Sequence, residues 1–241
     1  GQDHYHELFR PLTPGFASVK PNDVEAFTDF AEKTKIAAVI IECIQGEGGV
    51  IPLNPDYVSF LADYTSKNDI ILIVDEVQTG NGRSGKLYSY MNYGITPDIV
   101  STAKGLAGGL PLGATLLGEK VKDTLKAGDH GSTFGGNPVA CAGAVSILGR
   151  IDDELMTGVR RKSEFLFGTF TGAEGIEAVT GMGLMMGLKT TKPAKDVVNA
   201  CIAEGVLCLT AKDRVRLLPA LNIPNDLLAK AADVIKACAK N

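Results

Sequence analysis

Four apolar runs of strand length, spaced by stretches of helical periodicity, constrain this chain most. They cover residues 36–42, 70–75, 98–101 and 112–117. Between the first three lie segments that read as amphipathic helices. Residues 22–35 place Val24, Phe27, Phe30 and Ala31 on one face, behind Asn22 or Asp23 as cap. Residues 56–67 do the same with Val58, Leu61, Ala62 and Thr65. Continuous apolar strands alternating with helices predict a buried, mostly parallel sheet with helices on both faces, an α/β fold. Ligands of such sheets bind outside the carboxyl ends of the strands. Glu42, Asp75 and the Lys104 loop all fall at that edge.

The second half changes character. Helices are expected over residues 138–150, 154–170, 194–204 and 225–239. A hairpin is expected within 175–190, with arms at 176–180 and 184–188, and short strands at 206–209 and 214–218. This α+β pattern puts a domain boundary near residue 150, giving a 1–150 domain and a smaller 151–241 domain. The chain is 45% hydrophobic and 22% charged, as a soluble globular protein is. A net charge of -4 gives no electrostatic reason to expect nucleic acid or an anionic membrane as partner. No apolar stretch approaches the roughly 20 residues that span a bilayer. The opening Gly-Gln-Asp-His-Tyr-His has no basic region and no apolar core, so it does not read as a signal peptide. The five cysteines are odd in number and lack a Cys-x-x-Cys, and so read as buried thiols of a reducing, cytoplasmic compartment. His4-x-His6 has a metal-binding spacing but reads as a polar chain start, and no metal is expected.

Asp75 closes one apolar run, and Lys104 follows another in Ser101-Thr102-Ala103-Lys104-Gly105. A carboxylate and a lysine at neighbouring strand ends suit pyridoxal phosphate (PLP). The amine can form a Schiff base with the aldehyde, and the carboxylate keeps the pyridine nitrogen protonated so that the ring draws electrons from a carbanion. A nucleotide-binding domain would instead carry Gly-x-x-x-x-Gly-Lys-Ser/Thr or Gly-x-Gly-x-x-Gly after a strand, and neither is present.

Five motifs then occur in a familiar order. They are Glu42-x-x-Gln45-Gly46-Glu47-Gly48-Gly49, Val74-Asp75-Glu76-Val77-Gln78-Thr79-Gly80, Gly82-Arg83-Ser84-Gly85, Ala103-Lys104-Gly105, and Gly131-Ser132-Thr133-Phe134-Gly135-Gly136-Asn137-Pro138. Together they resemble the class III aminotransferases of PLP fold type I, the aspartate aminotransferase-like fold. Gly128-Asp129-His130-Gly131 and Arg216-Leu217-Leu218-Pro219 are most similar to bacterial N-acetylornithine aminotransferases. The resemblance implies PLP as cofactor and amino transfer from N-acetylornithine to 2-oxoglutarate, a step of arginine biosynthesis. Succinyl-diaminopimelate, ornithine and 4-aminobutyrate are the alternative donors. It implies Lys104 as the Schiff-base lysine, Asp75 as pyridinium partner, Val77 against one ring face and Gln78 on the phenolic oxygen. Ser132 and Thr133 would reach the cofactor phosphate of a neighbouring subunit, which implies a homodimer with shared sites. Arg216 would receive a substrate carboxylate, as guanidinium does bidentately, with Glu47 neutralising it in alternation.

Two departures accompany the resemblance. Cys43 stands where the family has proline. Pro11-Leu12-x-Pro14-Gly15-Phe16 resembles a segment well inside family members, so the chain reads as a C-terminal part with a partial large domain. The family's own-subunit phosphate loop and stacking aromatic are not recognised in it. The 241-residue chain is therefore expected to bind PLP weakly and to lack activity by itself. The non-catalytic alternative is a fragment that folds and dimerises without PLP.

Overall fold

The structure, a computed structural model, describes residues 3–240, with side chains described from His6 onward. The reading of His4-x-His6 therefore falls partly outside the described residues, as do Gly1 and Gln2. After a short α1 (Asp3–Leu8), α2 (Val24–Lys33) starts where a cap is available, with the Asp23 carboxylate accepting from the Ala26 amide at 2.9 Å. Asn22 is not the cap. It adopts a left-handed φ of 61°, and its Oδ1 accepts from the Asn54 amide at 2.7 Å, tying the start of α2 to that of α3 (Pro55–Lys67).

The first sheet combines β1 (Ala38–Ile41), β4 (Ile71–Asp75), β5 (Ile99–Thr102) and β6 (Ala114–Leu117). A small ladder of β2 (Ile44–Gln45) and β3 (Ile51–Pro52) stands apart. The order is β1-β4-β5-β6, with β1, β4 and β5 parallel and β6 antiparallel. The reversal at β6 has a simple cause. Residues 103–113 connect it to β5, and a parallel crossover takes a dozen or more residues, usually including a helix. This connection holds only a 3-10 turn at Lys104–Ala107.

Helices on both faces of the sheet are not what the structure shows. Phe27 of α2 and Tyr57, Val58 and Leu61 of α3 form a core with Val39 and Ile41 of β1. Leu72, Val74 and Val100 are buried on that same side. The opposite face is only partly covered among the described residues, and Ile40 there is 60% exposed. Asp75 and its register partner Ser101 belong to this opener face. The next helix, α4 (Pro138–Leu148), lies on the Lys104–Ala107 turn instead of covering the open face. Gly143 permits that approach, since a Cβ there would stand 3.0 Å from the Ala107 carbonyl oxygen.

The second half packs α5 (Asp153–Phe170), α6 (Ala194–Ala203) and α7 (Asn225–Ala239) on an antiparallel sheet. Its strands are β7 (Ile176–Met182), β8 (Met185–Thr190), β9 (Leu209–Ala211) and β10 (Arg214–Leu217), in the order β7-β8-β10-β9. Val159, Leu166, Phe170, Leu188, Val197, Val215 and Ile235 fill the core. The strand expected at 206–209 lies further on. Gly205, at φ 82°, ends α6, the Val206 amide returns to the Cys201 carbonyl, and pairing with β10 begins only at Leu209. Cys43, Cys201 and Cys208 are buried, as a thiol in an apolar core would be.

Several contacts join the two halves, the loop at Arg83 among them. The Leu184 amide donates to the Arg83 carbonyl at 2.9 Å, and Arg83 Nη1 donates to the carbonyls of Leu184 and Pro219. Burial of the guanidinium lowers its pKa to about 10. Gly183 makes the crossing possible. It has φ 59°, and a Cβ there would lie 2.4 Å from the Arg83 carbonyl oxygen. Gly183→Ala is expected to cost roughly 2 kcal/mol or more, from left-handed strain plus a backbone clash. A urea melt showing less than about 0.5 kcal/mol would mean that the junction yields freely.

Candidate active site

The site is built at the carboxyl ends of β4 and β5. Parallel pairing sets Asp75 opposite Ser101, and Lys104 follows three residues later. Asp75 Oδ1 accepts from the Val77 amide at 2.9 Å and the Ser101 hydroxyl at 3.2 Å. No hydrogen bond to Oδ2 is made by the described residues, so one carboxylate oxygen is held and the other is available. Asp75 caps no helix. The residues after it form a turn organised by the next carboxylate, Glu76, which is wholly buried. Glu76 accepts from the hydroxyls of Thr79 and Ser89 and from the Tyr90 amide at 2.9 Å, and its own amide donates to the Ser101 carbonyl. A buried carboxylate is tolerated only when its lone pairs are satisfied in this way.

Lys104 opens the 3-10 turn with φ 47°, a left-handed backbone that L-residues with a side chain avoid by about 1 kcal/mol or more. Its side chain is exposed on the site's edge. The two residues before it are gripped by Asn81, whose Nδ2 donates to the Ala103 carbonyl at 3.1 Å and to Thr102 Oγ1 at 3.3 Å.

The loop after β1 closes the other side. Glu42 Oε2 accepts from the Gly46 amide at 3.1 Å. Burial raises the pKa of Glu42, the Gly46 hydrogen bond opposes that, Asp75 raises it further and Lys104 lowers it. Glu42, Asp75 and Lys104 thus share one electrostatic neighbourhood. Glu47 Oε1 accepts from Arg216 Nη1 at 2.6 Å and from Gln78 Nε2 at 3.2 Å. The pair is asymmetric, with the Arg216 side chain 9% exposed and Glu47 53%. The Arg216 hydrogen bond holds the Glu47 carboxyl below the usual carboxylate range. Arg216 Nε is buried with no partner, leaving the guanidinium with donor capacity beyond its ion pair.

The structure therefore draws Glu47, Asp75, Val77, Gln78, Lys104 and Arg216 into one linked neighbourhood. Ser132 and Thr133 are not joined to it by any hydrogen bond among the described residues. Both are exposed in a turn closed by the Gly135 amide on the Ser132 carbonyl. Ser101 and Asn81 escaped the sequence reading. Ser101 could have been found from the β4–β5 register, but nothing local marks Asn81. The donor set suits PLP at the ring and aldehyde ends. It offers a strand-end carboxylate with one spare oxygen, a lysine on the adjoining turn and an amide at Gln78. Hydroxyls and amides of the Ser132 turn suit a phosphate.

Comparison with known proteins agrees with this chemistry. The family described as Aminotransferase class-III matches residues 1–239. Acetylornithine aminotransferase of Haemophilus ducreyi is 43% identical over 237 residues, covering 98% of this chain and 60% of the relative. The Clostridium acetobutylicum protein of the same name is 41% identical, over 100% of this chain and 64% of its own length. The chain thus spans less than two thirds of these relatives. Among solved structures, N-acetylornithine aminotransferase of Stenotrophomonas maltophilia aligns with TM-score 0.85 at 33% identity, over 94% of this chain and 62% of that one. Ornithine aminotransferase of Toxoplasma gondii aligns with TM-score 0.89 at 33% identity, over 98% and 58%.

The depressed pKa of Glu47 has a thermodynamic consequence. Its folded value lies below its unfolded value, so the stabilisation is present above the ordinary glutamate pKa of about 4.3 and is lost as pH falls through the folded value. Glu47→Gln should lower the urea midpoint at pH 7, and the deficit should shrink as pH falls through the folded value of Glu47. A deficit that stays the same as pH falls would place the effect outside the ion pair.

Proposed function

Since the chain belongs to the class III aminotransferases, PLP-dependent transferases of fold type I, we propose that it serves amino transfer from N-acetylornithine to 2-oxoglutarate by alternating half-reactions. The observation that carries this reading is the Arg216–Glu47 pair beside the Lys104 edge. Two substrates that take turns in one site, one with a carboxylate more than the other, need a cation that can be covered and uncovered. A buried arginine whose partner is a half-exposed glutamate supplies that. The names of the relatives at 43% and 41% identity support the donor assignment.

PLP, when bound, supplies an electron sink for a carbanion at the substrate's amine-bearing carbon. The residues have separable tasks. Lys104 Nζ would hold the cofactor aldehyde and, once released, carry the proton to and from the reacting carbon. Asp75, anchored through Oδ1, would present Oδ2 to the pyridine N–H. Val77 would pack on one ring face and Gln78 would donate to the phenolic oxygen. Arg216 would take the substrate carboxylate when Glu47 swings out towards solvent.

We further propose residue 150 as the boundary between a large domain and a C-terminal domain. A homodimer is proposed in which Ser132 and Thr133 serve the partner's cofactor phosphate. The exposure of that turn supports this, with Phe134 within it 84% exposed. Among the described residues no helix is long and apolar enough to cross a membrane, and a cytoplasmic site of action is proposed. A second reading, folding without firm PLP retention by these 241 residues alone, is favoured by the partly covered sheet face that carries Asp75.

In an intact version of the protein, borohydride reduction of the PLP-loaded form should fix the cofactor to Lys104, and Lys104→Arg should abolish turnover without unfolding. Cofactor recovered on another lysine would reject the assignment. Arg216→Ala should weaken use of 2-oxoglutarate, for which the arginine is uncovered, by about 2–4 kcal/mol in kcat/KM terms, and use of N-acetylornithine less. Ornithine outcompeting N-acetylornithine in the same assay would move the donor assignment.

A further inference from the structure

We propose that Asn81 is a positioning residue for Lys104, holding the two residues before the lysine so that Lys104 keeps its left-handed backbone at the end of β5. The proposal rests on Lys104 being the cofactor lysine. Asn81 lies 23 positions upstream in sequence, outside every site role assigned above.

The orientation of its amide is fixed by chemistry. The Ala103 carbonyl can only accept, so the Asn81 atom 3.1 Å from it is the NH2 group. The same nitrogen stands 3.3 Å from Thr102 Oγ1, so one side chain grips the two residues immediately before Lys104. This arrangement leaves Asn81 Oδ1 buried with no partner. The residue is 8% exposed, and a buried acceptor without a donor is a standing cost. An apolar side chain filling the same space would avoid it. The amide therefore matters for its two bonds and not for its volume.

Backbone geometry supplies an independent reason. Lys104 sits at φ 47°, and a strained residue of this kind persists only where its surroundings hold it. Downstream, α4 packs on Ala107. Upstream, Asn81 bonds to both Thr102 and Ala103, while Tyr88 engages the Thr102 side chain alone. Asn81 itself has φ 55°, a region that asparagine tolerates better than most residues. The position thus calls for left-handed backbone and an amide donor together.

The decisive variant is Asn81→Asp in the PLP-loaded, intact version of the protein. It keeps size and left-handed tolerance but sets an oxygen against the Ala103 carbonyl. Turnover should fall about tenfold or more, while KM for the amino donor stays within about threefold, because misplacement of a reacting group acts on chemistry more than on binding. In cofactor-free protein, amide exchange in the peptide covering residues 99–107 should quicken. Protonation restores a donor to the aspartate, so its deficit relative to the parent should shrink as pH is lowered, whereas that of Asn81→Ala should not. Turnover of Asn81→Asp within about twofold of the parent, with unchanged exchange, overturns the proposal. Borohydride labelling of the parent separates the two failures. Label on Lys104 with silent Asn81 variants sinks only this inference, and label elsewhere sinks the reading it rests on.

Discussion

The parallel pairing of β4 with β5 is the constraint on which the site depends. It sets Asp75 opposite Ser101, whose hydroxyl then holds one carboxylate oxygen, and it delivers Lys104 three residues beyond. Side chains alternate along a strand, so a one-residue slip would turn Asp75 to the face packed by α2 and α3. There it would be a buried carboxylate without donors. The apolar residues of the two strands lock the register, since Leu72, Val74 and Val100 must all meet the helical layer. Core packing and the placement of Asp75 and Lys104 are therefore decided by the same pairing.

Around that pairing the protein uses fixed polar groups to hold irregular chain. Glu76, wholly buried, gathers Thr79, Ser89 and Tyr90 and so shapes the turn that carries Val77 and Gln78. Asn81 takes the carbonyl before Lys104. Arg83 takes two carbonyls from the second half of the chain. These side chains come from one short stretch of sequence, and each replaces a ladder that a loop lacks. Satisfied buried groups of this kind rigidify, because breaking any one leaves an uncompensated partner.

The Arg83 junction also explains how a residue from the second sheet enters the site. Its grip on Pro219 restrains the end of β10, the strand that presents Arg216. Arg216 then meets Glu47 at 2.6 Å across 169 positions of sequence. The two halves also share a small apolar cluster, in which Ile44 and Val50 meet Met185 and Ala211.

Much of this was legible in the chain itself. Apolar runs placed the strands but overstated their burial, since β6 is exposed along its length and Ile40 of β1 is 60% exposed. Sequence pattern placed α3, α5 and α7 nearly to the residue. Asp75 and Lys104 stood out from their places after two apolar runs, whereas Gln78 and Arg216 were picked out only by the motifs' resemblance to a family. Other features depend on distances that no local pattern encodes. The antiparallel turn of β6 follows from too short a connection, and the shift of β9 from where α6 stops. Asn81 looks like any turn asparagine until the Ala103 carbonyl comes within its reach. The sequence determined which residues could do the chemistry. The tertiary structure alone decided which of them meet, because hydrogen bonds and ion pairs fall off over a few ångströms and only the packed register sets those distances.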